Sequence, residues 1–140
     1  LRAAGMHVVF AAGNGGPMEN SSVSPANNAG AFAVGALDGQ GQMALFSSRG
    51  VSACDARPYP DAMAPGELVR TADLSPGGVP VTTMGTGTSY AAAVASGELA
   101  LLLQARPELQ PTEREALLRA LPGETKPLLR ALGVGARSQP

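Results

Sequence analysis

Residues 6–12 read Met-His-Val-Val-Phe-Ala-Ala, a short and nearly continuous apolar run that breaks at Gly13-Asn14-Gly15-Gly16-Pro17. A run of this length, closed by turn residues, predicts a strand buried on both faces, as in a parallel sheet. A second run, Ala-Phe-Ala-Val-Gly-Ala over residues 31–36, ends at the turn Asp38-Gly39 and predicts a second strand. The segment between them, residues 15–30, is rich in Gly, Asn, Ser and Pro and reads as an exposed loop. Short strands are also expected at 43–46, 62–64, 69–72 and 79–84, separated by Ser-Ser-Arg-Gly, Pro-Tyr-Pro and Ser-Pro-Gly-Gly.

The pattern changes after residue 88. Residues 89–105, SYAAAVASGELALLLQA, are apolar nearly all round, with small side chains first and leucines later. This predicts a central helix buried on most sides. Thr112 followed by Glu115 predicts a capping box that opens an amphipathic surface helix to about Leu121, stopped by Pro122-Gly123. One more turn is expected over 127–132 and a loose tail over 133–140. Leu1-Arg2-Ala3-Ala4-Gly5 reads as the last turn of a helix closed by glycine, so the earlier part of that element is expected upstream. Helix end, strand, loop, strands and helices in this order indicate an α/β architecture.

Composition narrows the picture. A chain of 140 residues with 44% hydrophobic content is one compact unit able to bury a core. With 18 Gly, 12 Pro and only 4% aromatic residues, the packing relies on small side chains and tight turns. Lys and Arg number 10 against 11 Asp and Glu, which leaves no electrostatic footprint for nucleic acid or an anionic membrane. No apolar stretch is long enough to span a bilayer. The single cysteine, Cys54, excludes an internal disulfide framework and any multi-cysteine zinc site. Carboxylates are not clustered at the spacing of a calcium loop, so no cofactor is expected in this chain.

Two positions carry candidate chemistry. Ser89, in Gly87-Thr88-Ser89, stands at the start of the buried helix, where the helix dipole and free N–H groups favour developing negative charge. The plain alternative is that Ser89 is an ordinary N-cap. Asn14 ends an apolar strand, where open α/β sheets place ligand sites, and its amide could face a developing oxyanion. The alternative there is a turn residue. Taken singly, each plain alternative is the better reading.

Rival site chemistries fit less well. Gly85-Thr86-Gly87 before a helix suggests a nucleotide loop, but the third glycine of that fingerprint would fall on Tyr90 and no Walker lysine follows. Gly87-Thr88-Ser89-Tyr90-Ala91 approximates the α/β-hydrolase elbow, yet no histidine follows Ser89.

In combination, the motifs resemble the subtilisin-like (subtilase) family of serine proteases. Ala11-Ala12-Gly13-Asn14 resembles its strand-end Ala-Gly-Asn, Gly87-Thr88-Ser89 its nucleophile motif, and Ala33-Val34-Gly35-Ala36 its Ala-Val-Gly-Ala strand. Phe46-Ser47-Ser48-Arg49-Gly50 and Ala64-Pro65-Gly66 match two further motifs, and Gly133-Val134-Gly135 a weaker third, so the resemblance covers nearly the whole chain.

The resemblance implies a partial subtilisin-like three-layer α/β fold, mostly parallel sheet, with the central helix starting at the nucleophile. Residues 1–132 would be the C-terminal part of a catalytic domain. It implies a serine endopeptidase acting on polypeptides through an acyl-enzyme, with Ser89 as nucleophile and Asn14 in the oxyanion hole. The walls of the substrate pocket would be Ala11, Ala12, Gly13, Asn14 and Gly15 on one side and Ser24, Pro25 and Ala26 on the other, with Pro25 preceded by a cis bond. The catalytic Asp and His would lie in an N-terminal part of the same domain, the partner this segment requires, so the segment alone is expected to be inactive. A secreted or extracytoplasmic location and calcium in the intact fold are implied by family only. The other functional class is a non-catalytic relative that uses this scaffold for binding.

The chain departs from the pattern after Ser89: Ala93 and Val94 stand where the family usually has Pro and His. The sole histidine, His7, lacks the Gly-Thr that follows the catalytic histidine and reads as a partly buried strand residue. Asp38, Asp55, Asp61 and Asp73 read as turn and loop residues. Tyr90 reads as packing, and Asn20-Ser21-Ser22 as a chance glycosylation sequon.

Overall fold

The computed structural model describes residues 1–120. At its centre is β2 (Phe32–Leu37), all six of whose residues are buried. It is flanked in parallel by β1 (Val9–Ala11), paired Val9 to Phe32, and by β5 (Ala62–Pro65), paired Val34 to Ala62. A strand with neighbours on both sides and cover on its face must be apolar throughout, which is why the run over 31–36 lacks alternation.

Between β2 and β5 the chain forms a two-stranded hairpin, β3 (Gly50–Val51) with β4 (Pro58–Tyr59). A second antiparallel hairpin, β6 (Val69–Ala72) with β7 (Thr82–Gly85), leads into the long helix α1 (Thr88–Ala105). That helix packs on all three strands of the parallel sheet, and α2 (Pro111–Ala120) packs on α1 and β5. The core joins Phe32, Val34 and Ala64 of the sheet to Ala91, Ala95, Leu99 and Leu102 of α1. Alanines in the first turns let the helix lie close on the sheet, and the later leucines Leu99 and Leu102 complete the core. Burying each of Leu99 and Leu102 stabilises the fold by about 1.5–3 kcal/mol. No described helix is long and apolar enough to cross a membrane.

Several expectations are corrected. Residues 43–46 form no strand, only a bridge from Met43 to Leu37, because the chain turns there with the Ser47 N–H on the Ala44 carbonyl. The β3–β4 hairpin falls where Pro-Tyr-Pro suggested punctuation alone. The all-round apolar pattern of α1 predicts burial on most sides, but among the described residues the sheet and α2 cover one stripe, leaving Leu101 and Leu103 exposed.

The opening of α2 also differs. Pro111 takes the first helical position, and Glu113 accepts the Gln110 N–H at 2.6 Å, so Thr112 and Glu115 form no capping box. Glu115 is instead 1% exposed and accepts a two-pronged bond from Arg2 at 2.7 and 2.8 Å, which draws this face of α2 inward rather than leaving it on the surface. His7 precedes β1 rather than lying in it. Its Nδ1 faces Glu115 and its Nε2 faces Arg114, each at 3.4 Å. The first turn is a 3₁₀ segment, Arg2–Ala4, closed by Gly5 in the left-handed conformation. The expected turn over 127–132, the tail 133–140 and Gly133-Val134-Gly135 lie outside the described residues.

Candidate active site

The C-terminal end of β1 and the N-terminal end of α1 meet through one carboxamide. Asn14 Oδ1 accepts the Thr88 backbone N–H at 3.0 Å and the Thr88 hydroxyl at 2.9 Å. A backbone N–H can only donate, so the atom facing it must be the amide oxygen, and the orientation of the Asn14 amide is chemically determined. Thr88 closes the loop by accepting the Gly13 N–H at its own hydroxyl, 3.1 Å away. This threonine is 1% exposed, and a buried hydroxyl with both a donor and an acceptor partner fixes the distance between the two chain segments.

The same bonds decide which donors of the helix end remain open. The N–H of Thr88 goes to Asn14, and those of Tyr90 and Ala91 go to the Gly87 carbonyl at 3.1 and 3.4 Å. Among the described residues the Ser89 N–H and the Asn14 amide N–H₂ have no protein acceptor. Ser89 is exposed and is the second residue of an 18-residue helix whose first turn carries no acidic side chain. The positive end of the helix is therefore not neutralised by the helix itself. The N-cap is Gly87, so Ser89 is not a cap, which removes the plain reading of that serine.

Two glycines make the junction possible. Gly87 has φ 150° and ψ 160°, a region open essentially to glycine alone, and this turns the chain from β7 into the helix. Gly66, in Ala64-Pro65-Gly66, receives the Gly87 N–H on its carbonyl at 2.8 Å. A methyl group at Gly66 would sit 2.6 Å from the Ala36 Cβ and 3.0 Å from the Gly87 carbonyl oxygen, so β2 and the helix start close around a residue that must lack a side chain.

The Phe46-to-Gly50 motif buttresses the loop after β1. The Gly16 N–H bonds to the Phe46 carbonyl and the Ser48 N–H to the Gly13 carbonyl, both at 2.9 Å. Ser48 Oγ accepts the Gly15 N–H at 3.0 Å, and Ser47 Oγ accepts the Ala36 N–H at 3.1 Å. From the β4 side, Tyr59 donates its hydroxyl to the Ala12 carbonyl at 2.5 Å, and burial pushes its phenol above the ordinary range, keeping it a donor.

Tyr59 also lies in a small buried cluster with Ala12, Ala26 and Ala33, so one residue of each predicted pocket wall belongs to the same core. Ala11 and Gly13 are half-buried, Gly15, Ser24 and Pro25 are exposed, and the Ser24–Pro25 bond is cis. Tyr90 lies against the backbone of Gly85 in β7, consistent with packing. His7, at the opposite end of β1 from Asn14, bonds to α2 and takes no part in this junction. No group of three or more His, Cys, Asp or Glu able to hold a metal occurs among the described residues.

Sequence reasoning missed Thr88, Ser48 and Tyr59 as positioning residues. For Thr88 and Ser48 the signal was their place inside quoted motifs. For Tyr59 there was none.

A model of the Subtilase family matches residues 1–135. The serine protease AprX of Bacillus subtilis (strain 168) is 34% identical over 134 residues, which cover 83% of this chain and 30% of that protein. The subtilisin-like protease SBT6.1 of Arabidopsis thaliana is 32% identical over 113 residues, covering 77% of this chain and 10% of that protein. The chain thus spans less than a third of the length of either relative. Among solved structures, sphericase superposes with a TM-score of 0.72 at 25% identity, over 86% of this chain and 41% of that one.

Proposed function

Because the chain belongs to the subtilase family, we propose that it supplies the nucleophile and the oxyanion hole of a serine endopeptidase. Ser89 Oγ attacks the peptide carbonyl, and a histidine outside this chain, oriented by an aspartate, removes its proton. The carbonyl oxygen becomes an oxyanion, which the Asn14 amide and the Ser89 N–H receive. Collapse to the acyl-enzyme expels the amine, protonated by the same histidine, and water then hydrolyses the ester. Polypeptides are the substrates, bound between residues 11–15 and 24–26. Location outside the cytoplasm is part of the proposal and rests on family membership alone.

The observation that supports this reading most strongly is the pair of hydrogen bonds from Thr88 to Asn14 Oδ1, because it fixes the amide oxygen on the residue before Ser89 and leaves the Asn14 N–H₂ donors open. Such donors are effective when already in place before charge develops. Labelling of the intact protein with a serine-directed phosphonate, followed by peptide mapping, tests it. Modification at Ser89 is expected, abolished in Ser89→Ala. A folded intact protein that takes up no label would favour a non-catalytic scaffold.

A further inference from the structure

Both proposed pocket walls are held from β4 and the residue just before it. Tyr59 and Arg57 are two residues apart, the spacing that puts side chains on the same face of an extended segment. Tyr59 bonds to the Ala12 carbonyl in the first wall. Arg57 reaches the turn that continues from the second.

The Arg57 guanidinium is gripped from two sides. Asp55 Oδ2 lies 2.6 Å from one terminal nitrogen, and Asp61 accepts from Nε at 3.4 Å and from the other terminal nitrogen at 3.5 Å. The same two terminal nitrogens also face four main-chain carbonyls, sharing their N–H groups among them: Ala26 at 3.1 Å, Asn28 at 3.3 Å, Ala31 at 3.4 Å and Asn27 at 3.5 Å, with the Ser52 hydroxyl at 3.5 Å. Four carbonyl dipoles aimed at one point repel each other unless a cation sits among them. A planar guanidinium, whose five N–H groups fan out in one plane and can be shared between neighbouring acceptors, is the side chain suited to this cluster. Asp61 is itself fixed, since its Oδ2 accepts the Ala33 N–H at 2.8 Å at the start of β2. The clamp is thereby anchored to the sheet, and its position is inherited from the core.

We infer that Arg57 is a positioning residue for substrate selection: its guanidinium, anchored by Asp55 and Asp61, holds residues 26–31 and with them the wall formed by Ser24, Pro25 and Ala26. The inference rests on the proposed function for its link to substrate, while the clamp itself stands on the contacts above. Arg57 touches no reacting atom. Its loss therefore acts on binding of the residue before the scissile bond rather than on the chemical step.

The test compares Arg57→Ala and Arg57→Lys with the unaltered intact protein, with two readouts. The first is hydrogen exchange at the amides of Asn27, Asn28 and Ala31, which bond locally to Val23, Pro25 and Asn28. Exchange there should rise about tenfold or more in Arg57→Ala, with exchange in α1 unchanged. The second is peptide cleavage: KM should rise about tenfold with kcat altered less than about threefold, and the preference among side chains before the scissile bond should broaden. Low-millimolar guanidinium ion should restore both readouts in Arg57→Ala. Arg57→Lys, which keeps the charge but not the fork, should fall between the two and stands in should the alanine variant fail to fold.

Unchanged exchange at residues 26–31 overturns the clamp. Faster exchange with unchanged KM and selectivity overturns its link to substrate. If the unaltered protein cleaves no peptide, the function proposed for Ser89 fails, and exchange still decides the clamp.

Discussion

Asn14 Oδ1 accepts two bonds from Thr88, one from its backbone N–H at 3.0 Å and one from its hydroxyl at 2.9 Å. Residues 74 positions apart in the chain are thereby locked together. The amide N–H₂ of Asn14 is turned away from the capping contact as a direct result. One side chain both caps α1 and presents a donor, and the two roles can be separated by substitution.

Asn14→Asp keeps an acceptor for Thr88 and adds negative charge at a helix N-terminus, so stability should hold within about 0.5 kcal/mol or rise. Turnover should fall about 10²–10³-fold, because a donor to the oxyanion is replaced by an acceptor. That magnitude is carried over from the asparagine of a subtilisin rather than derived for this protein. Asn14→Ala should lose both stability and turnover. Thermal melts and peptide-hydrolysis kinetics on the intact protein distinguish the two variants, and an Asp variant of undiminished turnover would contradict the role proposed for Asn14.

Thr88→Val preserves shape but strands the Gly13 N–H and removes one of the two bonds to Asn14. A fully buried donor left unpaired costs about 1–3 kcal/mol, and because Gly13 is half-buried the denaturant midpoint should drop by an amount at the lower end of that range. Thr88→Ser, which retains the hydroxyl, should recover most of the loss. Equal destabilisation by both variants would show that the methyl group, not the hydrogen bonds, carries the effect.

Gly87→Ala forces a side chain into a backbone region that only glycine adopts readily. The cost is about 1–3 kcal/mol, relieved if the start of α1 rotates. Such a rotation would move Ser89 and its N–H together, so phosphonate labelling should slow at temperatures where the protein remains folded. Labelling at the original rate would show that the helix start tolerates the substitution in place.

Burial of Glu98 in α1 pushes its carboxyl up to about 7. The folded state thus holds this proton more tightly than the unfolded state. Below about pH 4.5 both states are protonated and stability is unaffected. As pH rises the unfolded state ionises first, so stability falls through the window up to about 7 and stays reduced above it. Glu98→Gln should remove this term, raising stability at pH 8 relative to the unaltered protein by about 1–3 kcal/mol and leaving it nearly unchanged at pH 4. Melting curves across that range check the sign, and a variant less stable at pH 8 would refute it.

Most of what places the site could be read along the chain. β1, β2, β5 and α1 follow from short apolar runs and their glycine and proline boundaries; β2 is buried along its whole length, whereas β1 is half-buried and β5 is buried only at Ala62 and Ala64, so full burial of both faces holds for the central strand alone. The short hairpin β3–β4 could not be read, because two-residue strands carry no periodicity and Pro-Tyr-Pro signals a break. Glu115 was misread for a related reason: its spacing from Thr112 fits a cap, and its partners inside the fold, Arg2 and His7, lie more than a hundred residues away.

By itself, the order of residues determined local matters: which runs are strands, where the long helix starts, and that a serine and an asparagine occupy positions suited to charge stabilisation. Tertiary structure decided which groups answer one another. Thr88 with Asn14, Tyr59 with Ala12 and Arg57 with residues 26–31 are partners far apart along the chain, and nothing in their immediate surroundings specifies them. A hydrogen bond depends on atoms arriving within about 3 Å, and for distant residues that distance is set by how the sheet, the helix and the loops pack together.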